Sequence, residues 1–186
     1  MDSSPLRVVP WIVLALVGAL AFCIALAGCG NSPGAQPGAD GGMPSGDQFV
    51  QHNLDVLNQY RAQQSPPAAA LALDDQLSSF ALTGSQQLMA TNVPHQHFKT
   101  ASASGAIWTS GFCNTAGENQ APGWPASSDS VELGSIDDVL AQMMAEGPGG
   151  GHHDNIVSTD FARVGIALVV QNGQLWLTND FSGPCP

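Results

Sequence analysis

The chain has 186 residues, with 4 Lys and Arg against 15 Asp and Glu and a formal net charge of −11. A field of that sign repels phosphate backbones and anionic lipid surfaces, which argues against any nucleic-acid partner and favours cations. Four cysteines and 44% apolar residues leave room for an ordinary packed core.

At the amino terminus Arg7 precedes an apolar run from Val8 to Gly28 that ends in Leu26-Ala27-Gly28-Cys29. The run is long enough for a membrane helix, but the small residues followed by Cys read as a lipobox, so residues 1–28 are expected to be a lipoprotein signal peptide. The mature chain would then begin at a lipid-modified Cys29, its membrane partner being the bilayer that holds the acyl chains. An uncleaved signal anchor is the alternative, although an anchor needs no Cys there. Gly30 to Asp47 is half Gly and Pro, a composition that cannot form a core, and residues 29–47 read as a tether spanning on the order of 25 Å. Residues 48–186 have the length of one domain. Removing residues 1–47 takes away Asp2, Asp40, Asp47 and Arg7, so the domain keeps 12 acidic and 3 basic residues, a net charge of −9.

Asp47 is placed to cap a first helix whose apolar positions Phe49, Val50, Leu54, Val56, Leu57 and Tyr60 recur at helical spacing. After Pro66-Pro67, Asp74 opens a second helix with Leu77, Phe80, Ala81 and Leu88 on one face, interrupted by Gly84 and delivering His95 and His97 at its end. Lys99 to Gly134 is rich in Ser, Gly and Ala without a period, and is expected to be a site-forming loop with one short strand. Ser135-Ile136-Asp137-Asp138 reads as a capping box for a third helix through Val139, Leu140, Met143 and Met144, whose last residues present Glu146. Gly151-His152-His153 is expected to lead into an apolar strand, Val164 to Gln171, covered on both faces. Asn172-Gly173 is a strong hairpin signal before a last strand, Gln174 to Phe181.

Cysteine usage fits export. With Cys23 inside the signal and Cys29 as the anchor, Cys113 and Cys185 remain as an even pair, expected to form a disulfide rather than two free thiols. The loop it closes, about 70 residues, is worth roughly 4 kcal/mol on the chain-entropy estimate.

Five segments in order carry a family resemblance: Asn58-Gln59-Tyr60-Arg61, Met89-Ala90 with His97, Gly117-Glu118-Asn119, Gly151-His152-His153-Asp154-Asn155-Ile156, and Leu175-Trp176-Leu177-Thr178-Asn179-Asp180-Phe181. Together they resemble bacterial members of the CAP superfamily, the SCP-like or pathogenesis-related-1-like domains. The resemblance covers roughly residues 48–186 and implies an α+β fold, an α-β-α sandwich with a small antiparallel sheet between helices. Two positions and one segment depart from the pattern: Gln120 where an apolar residue is usual, Met143 where the third helix commonly has Trp, and the glycine-rich run Gly147 to Gly151.

The resemblance also implies a cleft where two His and two Glu converge, namely His97, Glu118, Glu146 and His152. Counting eight residues on from Met89 selects His97, with His95 two positions away as the alternative. Imidazoles suit zinc or another divalent ion, but two of them fall short of the three protein ligands usual for catalytic zinc, so a weakly held metal is the expectation. The other residues have plainer readings: His52 and His153 as solvent-facing side chains, Met143 and Met144 as core, Asn119 and Asn155 as hydrogen-bonding struts, and Glu118 as an acceptor of backbone N–H bonds.

Within residues 48–186 no His-Glu-x-x-His helix and no Gly-x-Ser-x-Gly elbow occurs. The leading expectation is therefore a binding module on the outer face of the cell membrane or on an outer membrane, taking a small ligand, a metal ion or an envelope protein. The rival is a metal-assisted hydrolase of peptides or envelope material, with His97 and His152 as ligands and Glu118 or Glu146 as base.

Overall fold

The computed structural model describes residues 46–126 and 132–186. The expected signal peptide, Cys29 and nearly all of the tether lie outside the described residues. Helix α1 is Gly46–Ala62, so Asp47 falls in its first turn and not at the cap. Leu54 and Leu57 are buried, with Phe49, Val50, Val56 and Tyr60 packed against the same core, as their spacing predicts. Strand β1 (Ala72–Leu73) precedes helix α2 (Asp75–Thr91), which Asp74 caps by accepting the Leu77 N–H at 2.9 Å.

The stretch expected as a loop carries more structure. Helix α3 (Gln96–Ser104) and a 3₁₀ turn (Ala106–Thr109) lead to strand β2 (Ala116–Pro125), ten residues long. Helix α4 (Leu133–Ala145) starts after Glu132, so Ser135 is a buried first-turn residue and not a capping-box serine. Next comes a short helix, α5 (Gly151–Val157), where a direct run into a strand is expected from the sequence. Strands β3 (Arg163–Gln171) and β4 (Gln174–Ser182) close the chain, joined at Asn172 and Gly173, both with positive φ as a two-residue hairpin of this kind requires.

The sheet order is β1-β3-β4-β2. Its three long strands are antiparallel neighbours, while β1 runs parallel to β3, so the sheet is mixed and not purely antiparallel. Helix α2 covers one face, with α3 packed against it, and α1, α4 and α5 cover the other, giving the α-β-α sandwich. Alternation along β4 assigns its sides: Leu175, Leu177 and Phe181 enter the larger core with Leu57, Ile136, Leu140, Ile156 and Val164. A smaller core under α2 and α3 gathers Leu77, Phe80, Ala101, Ile107 and Phe112. Only the first half of β3 is fully covered; Leu168 to Val170 are half-buried where the strand runs past the helices.

Two side chains tie the layers together without belonging to the cleft. Arg61 is fully buried and donates to the carbonyls of Ala69, Ile156, Ser158 and Phe161 at 2.7–3.1 Å. Asn58, one turn earlier, both donates to Leu71 O and accepts from Leu71 N. The Asn-x-x-Arg segment thus holds the loop after α1 and the end of α5 in place. The Cys113–Cys185 disulfide is present, anchoring the carboxyl terminus to the entry of β2 across 72 residues of sequence.

Candidate functional site

Four side chains from four segments meet beside β2: Glu118 on the strand, Glu146 at the end of α4, His95 at the start of α3 and His152 in the first turn of α5. Glu118 Oε1 lies 2.9 Å from His95 Nδ1, and Glu146 Oε1 lies 2.6 Å from His152 Nδ1. The two imidazole rings are 6.2 Å apart between centroids and tilted by 37°. Each ring is therefore oriented through one nitrogen by a carboxylate, and its Nε2 has no hydrogen-bond partner among the described residues.

The ring opposite His152 belongs to His95, where counting from Met89 selects His97. The reason is local. Helix α2 stops at Thr91 with Asn92 in the left-handed conformation, and His95, also left-handed with φ 62°, caps the start of α3, so helical register cannot be carried across the turn. His97 sits inside α3 with its ring 4.2 Å from that of Phe80 and its Nε2 buried without a partner. Burial lowers its pKa, and the charge of Glu118 offsets part of that effect.

Gln120 holds the His95 turn, and sequence reasoning passed over it. Its Oε1 accepts the His95 N–H at 2.7 Å while its Nε2 donates to Thr178 Oγ1 at 3.2 Å. The one available signal was its departure from the apolar residue usual after Gly-Glu-Asn. The glycine-rich run serves the other half of the cleft. Gly147 and Gly149 have positive φ, and a Cβ on Gly150 would lie 2.4 Å from that of Glu146. The chain thereby doubles back so that Glu146 Oε2 also accepts the His152 N–H at 3.1 Å.

Asn119 and Asn155 act as struts: Asn119 donates to His152 O at 3.0 Å, and Asn155 donates to Glu118 O and to Asn119 Oδ1. Met143 is core, and Met144 packs against it. Of the two histidines expected to face water, His153 does not. His153 is buried, with Nδ1 3.0 Å from Asp154 Oδ1, because in a helix its side chain points about 100° away from that of His152. His52 is half-buried and bridges α1 to Asp137 of α4 at 2.7 Å.

A groove of about 130 Å³ runs from Glu146 and His152 along β2 and α4, walled chiefly by Ala121, Trp124, Val139 and Met143. Among the described residues no group of three or more His, Cys, Asp or Glu has metal-binding geometry. Two carboxylate-oriented imidazoles fit a weakly held, exchangeable divalent ion and do not fit a closed structural zinc.

Burial raises the Glu146 pKa, but the hydrogen bonds and charge of His152 outweigh it, so the carboxyl lies below its ordinary range. A depressed carboxylate lends stability above the unfolded value, near pH 4.3, and loses it as pH falls through the folded value. A carbon-13 NMR titration of Glu146 is expected to give a midpoint under about 4.3. A midpoint at or above that value would contradict the His152 link.

Comparison with known proteins identifies the family and the fold. The profile of the CAP family, described as the cysteine-rich secretory protein family, matches residues 54–180. The chain belongs to the CAP family. No match is found among curated proteins. Among solved structures, this CAP chain is similar to an extracellular SCP-domain protein from Bacillus anthracis, with TM-score 0.54 and 20% identity over 74% of this chain, and it spans 41% of that protein. An outer surface protein from Borrelia burgdorferi gives TM-score 0.56 and 16% identity, covering 74% of this chain and 94% of that one. The CAP domain of enterococcal PrgA gives 0.54 and 19%, covering 75% and 63%. At such identities the likeness establishes the fold, the α+β sandwich described above.

Proposed function

We propose that this CAP protein is an exported, lipid-anchored binding module whose cleft takes a small ligand or a divalent ion between His95 and His152. The observation that carries the reading is the pairing of each imidazole with its own glutamate, which leaves two Nε2 atoms on neighbouring rings to receive one ion or one polar group. Export is supported by the lipobox at Cys29, by the Cys113–Cys185 disulfide, and by relatives described as extracellular or as outer surface proteins. Lipidation at Cys29 would make the membrane the anchoring partner, with the Gly/Pro-rich tether holding the cleft clear of the headgroups. An envelope protein would then be within reach.

Binding is favoured over hydrolysis because two imidazoles are one short of the usual catalytic zinc set. A bound divalent ion, zinc for example, would be held by His95 and His152 and would supply Lewis acidity; Glu118 and Glu146 would set the ring orientations. Zinc titration of the protein, read at the imidazole NMR resonances, is expected to give saturable shifts confined to His95 and His152. These should vanish in the His95→Ala, His152→Ala double variant. No shift at either ring would remove the metal reading. Metal-dependent peptide hydrolysis lost in Glu118→Gln would replace the module by the hydrolase.

A further inference from the structure

Behind the cleft, the face of the sheet under α2 carries a buried polar row. Glu118 and Gln120 on β2 stand in register opposite Asp180 and Thr178 on β4. The Gln120 and Thr178 end is satisfied: Gln120 Nε2 donates to Thr178 Oγ1, which also bonds Ser85 Oγ at 2.7 Å. The acidic end is not. Asp180 is fully buried, and neither of its carboxyl oxygens has a hydrogen-bond partner among the described residues. Glu118 uses Oε1 for His95, but its Oε2 is buried and equally unpartnered.

Side chains directly opposite on neighbouring antiparallel strands have Cβ atoms about 4.5–5.5 Å apart. Two ionised carboxylates cannot share such a place away from water without a cation between them. None faces Asp180. From α2 the row meets Gly84 and Ser85, and that helix carries no basic residue. From α3, His95 is engaged with Glu118, while His97 lies against Phe80 with its Nε2 unpartnered and within reach of the Glu118 charge rather than bonded to Asp180, and Lys99 is exposed. On β3 the residue opposite Asp180 is Gly165, and Arg163 is turned to Asp74, Gly111 O and Ser182 Oγ.

We propose that Asp180 is a buried carboxylic acid that keeps its hydrogen at neutral pH and donates it to Glu118 Oε2, so that Asp180 positions Glu118 with its other oxygen against His95. One hydrogen then pairs two otherwise orphaned oxygens, and the two acids carry a single negative charge. Burial pushes the Asp180 carboxyl well above the usual range, and the neighbouring Glu118 charge pushes it in the same direction. The arrangement stands whether the cleft takes a metal ion, another ligand or nothing, because it concerns what holds Glu118 from behind.

The test compares the full chain with Asp180→Asn, which keeps a donor at the same place but has no proton to hold. Infrared difference spectra at pH 7 are expected to show the carbonyl band of an un-ionised carboxylic acid in the natural protein and not in the variant. Absence of that band from the natural protein overturns the proposal. Thermal unfolding against pH reads the same proton by its sign. Below the unfolded value, about pH 3.9, both states hold it. Above that, only the folded state must keep it, so the natural protein loses stability relative to Asp180→Asn until the folded value is passed. The Tm difference is expected to grow in favour of Asp180→Asn from pH 4 to pH 7, and a difference moving the other way overturns the proposal. For the positioning role, the hydrogen-bonded His95 Nδ1 proton should persist in Asp180→Asn and be lost in Asp180→Val. A valine variant that keeps it removes that role, and should valine fail to fold, loss of the signal in Asp180→Asn does the same.

Discussion

Replacing Arg61 by Met is expected to lower stability by about 3–5 kcal/mol, because it strands several buried carbonyl acceptors at once. The guanidinium is fully buried and has no carboxylate partner among the described residues; four carbonyl oxygens surround it instead. Burial lowers its pKa, yet an arginine stays charged throughout the ordinary pH range, so the carbonyls carry the whole task of solvating it. Removing it strands those carbonyls, each a group whose unmade hydrogen bond costs about 1–3 kcal/mol when buried. It also frees the loop after α1 and the segment from α5 to β3. Arg61→Lys should recover less than half the loss, because an ammonium cannot spread its donors over four oxygens in a planar fork. Urea unfolding of the two variants checks this. A methionine variant within about 1 kcal/mol of the natural protein would show that the carbonyls find other partners.

The second large effect is expected at Gly165, where β3 crosses directly beneath α2. A Cβ there would lie 2.1 Å from the backbone carbon of Leu77 and 2.4 Å from its oxygen and from Ser78 N. These are main-chain atoms of a capped helix, so no side chain can turn aside; the helix must lift from the sheet. The cost of Gly165→Ala is expected to reach about 4 kcal/mol, and Gly165→Val more, at the upper end of overpacking effects. Lifting α2 would also open the cover over Glu118 and Asp180, so His95 resonances should broaden or shift in any folded remnant. If Gly165→Ala unfolds at the natural midpoint with an unchanged denaturant slope, the helix is not held that closely.

Where the sequence read true, the determinants were local. The Asp74 cap, the apolar stripe of α1 and the Asn172-Gly173 turn each depend on a few consecutive residues and elementary backbone geometry. Where it failed, the competing signals were tertiary or short. A two-residue parallel strand such as β1 has no period to detect, and the small residues of α3 give little amphipathic contrast. His152 and His153 look alike as neighbours, yet a helix of seven residues sends one to the cleft and the other inward.

The cleft divides along the same line. That a glutamate would follow Gly117, that imidazoles would lie near residues 95–97 and 152, and that Cys113 and Cys185 would be an even pair were written in residue types and order. Which histidine faces which was decided by a left-handed turn at His95, clamped by Gln120 from a strand 25 residues away. The buried facing of Glu118 and Asp180, and of Arg61 with its four carbonyls, also belongs to the tertiary structure alone. A sequence displays chemistry one residue at a time, whereas desolvation and pairing are properties of what the fold packs around each group.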